Sequence, residues 1–172
     1  MEVLYDKLAN LIEKHSAEIV RRWLEAIQSD PATASFSKNN VAYVRSKAGD
    51  LLRHINQWIG YDASKQEIGK RYAVEGRDMF DMGVPLCEVI RAMYVLRRTL
   101  WQFVENESGF DSAFELKQMR ELDERITRFF DRAEYYVIRG YMEEMNRKMK
   151  ELWRLTSADT DKIFFERSFY YQ

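Results

Sequence analysis

Apolar residues recur along this chain at the three- and four-residue steps of an α-helix. Leu4, Leu8, Leu11, Ile12, Ile19, Trp23 and Ile27 follow that spacing with charges between them. His15-Ser16 interrupts the stripe, and Ser16 is a candidate cap for a second helix over 17–28. Asp30-Pro31 ends it, because the residue before proline disfavours α geometry. The segment PATASFSKNN reads as a surface loop. A further amphipathic helix is predicted over 40–58, with Val44, Ala48, Leu51, Leu52 and Ile55 on one side and Gly60 as its stop. Ser64-Lys65-Gln66-Glu67 is a capping box that opens a helix to about residue 81. Gly83 ends that helix and Pro85 pre-sets the first turn of the next, 85–105, the most apolar of the set.

The last predicted helix is the most informative. From Ser112, where Ser112-Ala113-Phe114-Glu115 forms a second capping box, to about Thr156 there is no proline and a single glycine, Gly140. At ~1.5 Å per residue it would span roughly 65 Å. A compact domain of this length has a diameter of about 40 Å, so the helix should overshoot its own bundle unless Gly140 breaks it. Met119, Leu122, Ile126, Phe129, Ala133, Val137, Tyr141, Met145, Met149 and Leu152 step by three or four, alternating at first and then by successive fours, so that the stripe drifts around the helix. Up to Met142 the stripe is wide, which suits burial in a bundle. Beyond it Met145, Met149 and Leu152 are framed by charges, which suits a two-helix seam. Tyr141, Met145, Met149 and Leu152 are therefore the candidate dimer seam; the alternative is that this half folds back along its own domain.

Composition narrows the class. With 7 Gly and 2 Pro in 172 residues, a turn-rich strand architecture is disfavoured. Hydrophobic residues at 46% and charged residues at 32% are typical of a folded domain. The net charge of -1 provides no field for nucleic acid. No apolar run approaches the ~20 residues that cross a bilayer, and the charged MEVLYDKLANLIEKH reads as no signal peptide. The single cysteine, Cys87, suits a reducing cytoplasm and reads as a small buried filler. The expected fold is an all-α bundle of five to six helices with a long projecting C-terminal helix. Its expected parts are a bundle over 1–142, the projecting helix over 143–156 and an aromatic tail over 157–172. That tail ends in IFFERSFYYQ, whose Phe164, Phe165, Phe169, Tyr170 and Tyr171 call for a surface to dock on.

Chemistry is sparse. The two histidines, His15 and His54, support no metal site: Asp50 and His54 supply two ligands on a face where a site wants three or four. Cys-x-x-Cys, His-Glu-x-x-His and Glu-x-x-His patterns are absent, as is a Gly-rich phosphate loop. No histidine follows His54 to serve as a proximal haem ligand, so no cofactor is expected. Glu121, Asp123 and Glu124 read as a solvated face, and Glu143-Glu144 likewise. One constellation stands out. Arg91, Tyr94, Arg98 and Trp101, preceded by Cys87, line one side of an otherwise apolar helix and form a candidate cleft for an acidic ligand. The competing reading pairs Arg91 and Arg98 with carboxylates of neighbouring helices.

IVRRWLEAI (19–27), Gly69-x-x-Tyr72, Gly83-Val84-Pro85-Leu86 with Glu88-Val89, LRRTLW (96–101) and FFDRAEYYVIRGYMEE (129–144) together resemble the RsbRD-type amino-terminal sensor domain of stressosome co-antagonists and bacterial histidine kinases. The resemblance covers roughly residues 4–145. It implies a loosely globin-like input domain without haem that acts as a homodimer and passes a signal down its last helix to an output domain. It carries over no catalytic residues. Only about 20 residues follow the long helix, too few for a kinase, cyclase or STAS output domain, so a stand-alone regulator and a sensor piece of a longer protein are both open. The expectation is a non-catalytic, cytoplasmic regulatory dimer with a downstream signalling partner, and neither nucleic acid nor membrane as a target. Its rival is a small-molecule binder or enzyme using the Arg91 cleft.

Overall fold

The computed structural model describes residues 4–36, 40–60, 64–107, 113–154 and 158–159. Within them lie seven α-helices and no strand: α1 (Leu4–Lys14), α2 (Ser16–Ser29), α3 (Val41–Arg53), α4 (Ile55–Ile59), α5 (Lys65–Asp81), α6 (Leu86–Glu107) and α7 (Ala113–Trp153). A 3-10 turn, Pro31–Thr33, follows α2. Ser112 of the second capping box and the five aromatic residues of the tail lie outside the described residues.

Local chemistry sets most boundaries. Ser64 caps α5, its hydroxyl accepting from the Glu67 amide at 3.3 Å. Gly83, at φ 71°, closes the same helix: its amide donates to Phe80 and that of Val84 to Met79, the paired bonds of a Schellman turn. Pro85 then precedes α6. Ser16 is instead the first, buried residue of α2, and His15 occupies the cap position with no side-chain cap bond. The helix expected over 40–58 is broken at His54, whose φ of -128° leaves the α region. That break raises the helix count to seven. It also turns Ile55 and Ile59 of α4 into the core.

The core runs the length of the bundle and joins Ile12, Ile19, Leu52, Leu100, Phe103, Ile126 and Phe130 from five helices. Polar bonds tie the helices across it. The Trp23 indole donates to the Ala92 carbonyl (2.9 Å), joining α2 to α6, and the Tyr43 hydroxyl donates to Asp78 (2.6 Å), joining α3 to α5. Glu88 accepts from the Ser35 amide (2.8 Å) and hydroxyl (3.1 Å), pinning the loop after α2 onto α6.

The most extensive contact is between α5 and α7. It depends on glycine. A Cβ at Gly140 would stand 2.0 Å from the Ala73 carbonyl oxygen, and one at Gly76 would stand 2.1 Å from that of Val137. The two backbones touch at reciprocal positions, which only a residue without Cβ permits. Gly69 extends the contact under the ring of Tyr136. α7 accordingly runs unbroken through Gly140 for 41 residues, about 60 Å, to a last turn where Leu152 and Trp153 are 76% and 66% exposed.

Arg71 clips α3 to α5. Its guanidinium donates to Asp50 (2.6 Å) and Glu75 (3.2 Å) and lies over the Trp58 ring. The hydrogen bond from Arg71 holds the Asp50 carboxyl below its usual range. Burial pushes Glu75 up despite the same Arg71.

Gly140→Ala should destabilise the fold at the upper end of the ~1–3 kcal/mol typical of overpacking, lowering the melting temperature by roughly 5–10 °C. Gly49→Ala meets only the mobile end of Arg53 and should be neutral or stabilising. Equal melting of the two variants by circular dichroism would refute the backbone contact. A carboxyl whose folded pKa is raised binds its proton more tightly in the native state, so ionising Glu75 above its ordinary 4.5 costs stability as pH rises. Glu75→Gln should flatten that decline in urea unfolding measured from pH 4.5 upward. Parallel curves for the variant and the parent would contradict it.

Candidate functional site along the long helix

The inner face of α7 walls a partly open cavity of about 80 Å³ within the bundle. Phe129, Phe130, Ala133 and Val137 form its α7 wall. Val89, Ala92, Met93 and Leu96 line it from α6; Val44, Lys47, Ala48 and Leu51 do so from α3. Trp23 and Phe36 complete the apolar lining, and α5 contributes Tyr72, Glu75 and Met79. The Tyr72 ring packs edge-on against Phe129, with centroids 5.7 Å apart. Its hydroxyl is buried with the Arg71 guanidinium beside the oxygen, and no group among the described residues accepts its O–H. Burial holds the phenol neutral, well above its ordinary pKa. Periodicity alone does not expose this cavity, since it is a gap between elements. One signal was available: Glu75 stands three residues after Tyr72 and four before Met79, so a carboxylate occupies an otherwise apolar helix face.

The outer face of α7 carries a second apolar stripe. Tyr135, Ile138, Met142, Met145, Met149 and Leu152 follow each other by three, four, three, four and three. They lie across the helix from Ala133, Val137, Gly140 and Glu144, which are buried. Tyr135 is 58% exposed, and a groove of about 400 Å³ runs between Tyr135, Ile138, Met142 and Met145. Of the four residues expected in a seam, Met145, Met149 and Leu152 belong to this stripe. Tyr141 does not share it: its ring packs edge-on against Phe80 (5.2 Å) and its hydroxyl donates to the Val84 carbonyl (3.0 Å). The reason is geometric. Each step of four advances about 40° around a helix of 3.6 residues per turn. The run Ala133, Val137, Tyr141, Met145, Met149 therefore winds from the packed face to the outer one.

Glu144 is buried rather than solvated, and two hydrogen bonds from Arg147 hold its carboxyl low. Lys148 reaches Asp81 at 3.8 Å, so the carboxyl half of α7 still touches the end of α5.

The residues of the expected acidic-ligand cleft share one side of α6, and none of them lines the core cavity. The Arg91 guanidinium bonds to Asp30 at 3.0–3.1 Å. The amide of Ala32, then Arg91, lowers the Asp30 pKa. Tyr94 is 47% exposed beneath the Arg97 guanidinium, and Arg98 is exposed. Trp101 packs on the core with its indole N–H buried and unpartnered among the described residues. Cys87 is exposed, not a buried filler, because it sits in the first turn of α6 on the side away from Val89 and Ala92. His54 Nδ1 lies 3.0 Å from the Asp50 carbonyl oxygen, and the His15 ring packs on Phe103. Among the described residues no cluster of three or more His, Cys, Asp or Glu could hold a metal ion, and no helix is long and apolar enough to cross a membrane.

No curated protein and no solved structure matches this chain. One family model does: that of the RsbT co-antagonist protein rsbRD N-terminal domain, over residues 17–152. The match takes in every helix from α2 to α6 and nearly all of α7, and with them the glycine crossing, the core cavity and the outer stripe. The chain belongs to the rsbRD N-terminal domain family, a regulatory class linked to the stressosome and not a known catalytic one.

Proposed function

We propose that this chain is a cytoplasmic sensory domain that forms a homodimer through the outer stripe of α7 and relays a signal along that helix. The observation that carries the reading is the two-faced character of α7. Its inner face closes the core, while Ile138, Met142, Met145 and Met149 form a heptad-like row on the opposite side. Arg139, Glu143 and Lys150 flank the row on one edge, as charges flank a two-helix seam. Apolar groups in such a row gain about 25 cal/mol per Å² when a second copy covers them. In this reading the bundle up to residue 142 senses and the part of α7 beyond it transmits, with the seam starting upstream at Tyr135. A shift at the α5/α7 contact would reposition the helices as packed elements that move between discrete arrangements. The family's name supports a downstream partner of the RsbT kind within a stressosome-type assembly.

Light scattering after size exclusion should give the mass of a dimer. The double variant Met145→Glu, Met149→Glu should weaken association by about 100-fold or more, because each partner would bury a carboxylate. Its helicity should stay unchanged, since these side chains point away from the core. A monomeric parent protein at high concentration, or a variant that dimerises as before, would remove the seam.

A further inference from the structure

The cavity beside α7 combines three features that a packing defect does not. Protein cores are close-packed, with few voids larger than a water molecule. This one measures about 80 Å³, several times what one water needs and about half the ~150 Å³ cavity that takes benzene. Its walls are mostly aliphatic and aromatic. Among the lining residues is Tyr72, only 4% exposed, whose O–H has no acceptor among the described residues although the Arg71 guanidinium lies beside its oxygen. Buried donors are almost always satisfied, by protein, by water or by ligand.

We infer that the cavity is a receptor site for a small, largely apolar molecule carrying one hydrogen-bond acceptor, such as a carbonyl oxygen, that receives the Tyr72 O–H. The neighbouring charges fit this class better than an ionic one. Glu75 is occupied by Arg71, and Arg71 is shared with Asp50, so neither offers a free counter-ion. Lys47 lines the cavity as well, but its ammonium lies 5.3 Å from the Tyr43 ring centroid. A carboxylate ligand would meet the Glu75 charge beside it. A neutral acceptor meets no such repulsion. The site spans α3, α5, α6 and the inner face of α7, so an occupant would bear directly on Phe129, Phe130, Ala133 and Val137. The inference rests on the regulatory reading for its consequence, and on the cavity alone for binding.

The test uses the full chain with labelled alanine and methionine methyls, which places probes at Ala92, Ala133, Met79 and Met93. Acetone is titrated against 2-methylpropene, the same shape with CH₂ in place of oxygen and small enough for about 80 Å³. Saturable shifts at these methyls are expected with both. In Tyr72→Phe the affinity for the ketone should fall roughly fivefold while that for the hydrocarbon is kept or improved. Ala92→Leu, which fills the space, should abolish both. Absence of saturation in the parent protein, or an equal loss of both probes in Tyr72→Phe, would overturn the site. Binding by a monomeric protein would defeat the dimer and leave the pocket; a dimer that binds neither probe would do the reverse.

Discussion

The paired contacts of Gly76 with Val137 and of Gly140 with Ala73 are the constraint on which the rest of this molecule depends. A helix can lie this close to another's backbone only where its own residue at the contact lacks a Cβ, and here each helix supplies one such residue, with Ala73 and Val137 supplying the facing carbonyls. Close approach brings α5 and α7 together along most of the length of α5. It sets how far Tyr72 and Met79 reach toward Phe129 and Val137. It also fixes the rotation of α7 about its own axis, and that rotation decides which residues of the long helix face inward.

Both candidate sites follow from that rotation. With Gly140 against Ala73, residues 129–137 wall the core cavity, and the row from Tyr135 to Leu152 is turned away from it. One rigid helix thus borders a cavity on one side and carries an apolar row on the other. The polar ties around it, Tyr141 to Val84 and Lys148 to Asp81, hold the same orientation beyond the glycine contact. A domain that changes state through this helix would have to disturb the glycine contact or move α5 with it.

Much of the architecture was legible in the sequence because its signals are local. The Ser64 cap, the Gly83 stop and the Asp30-Pro31 ending each act within one turn of chain. The break at His54 was not, since Leu51, Leu52, Ile55 and Ile59 continue a helical rhythm across it and the departure is set by packing α4 into the core. Gly140 was visible but its meaning was not. In sequence a glycine inside a helix suggests a bend; in space it makes room for another backbone. Glu144 and Cys87 went the opposite way from their residue types, one buried beside Arg147 and the other exposed, because position on the helix outweighed polarity.

The sequence by itself determined the all-helical class, most of the helix ends, the approximate length of α7 and the family, since propensity, capping and periodicity are properties of neighbouring residues. Only the tertiary structure decided which face of α7 is inside, that Tyr141 belongs to the bundle while Met145 and Met149 belong to the outer row, and that a cavity lies beside Tyr72. Those are properties of facing surfaces. A stripe that drifts about 40° with each step of four has no inside until a second helix is laid against it, and here that helix is α5, held by two glycines.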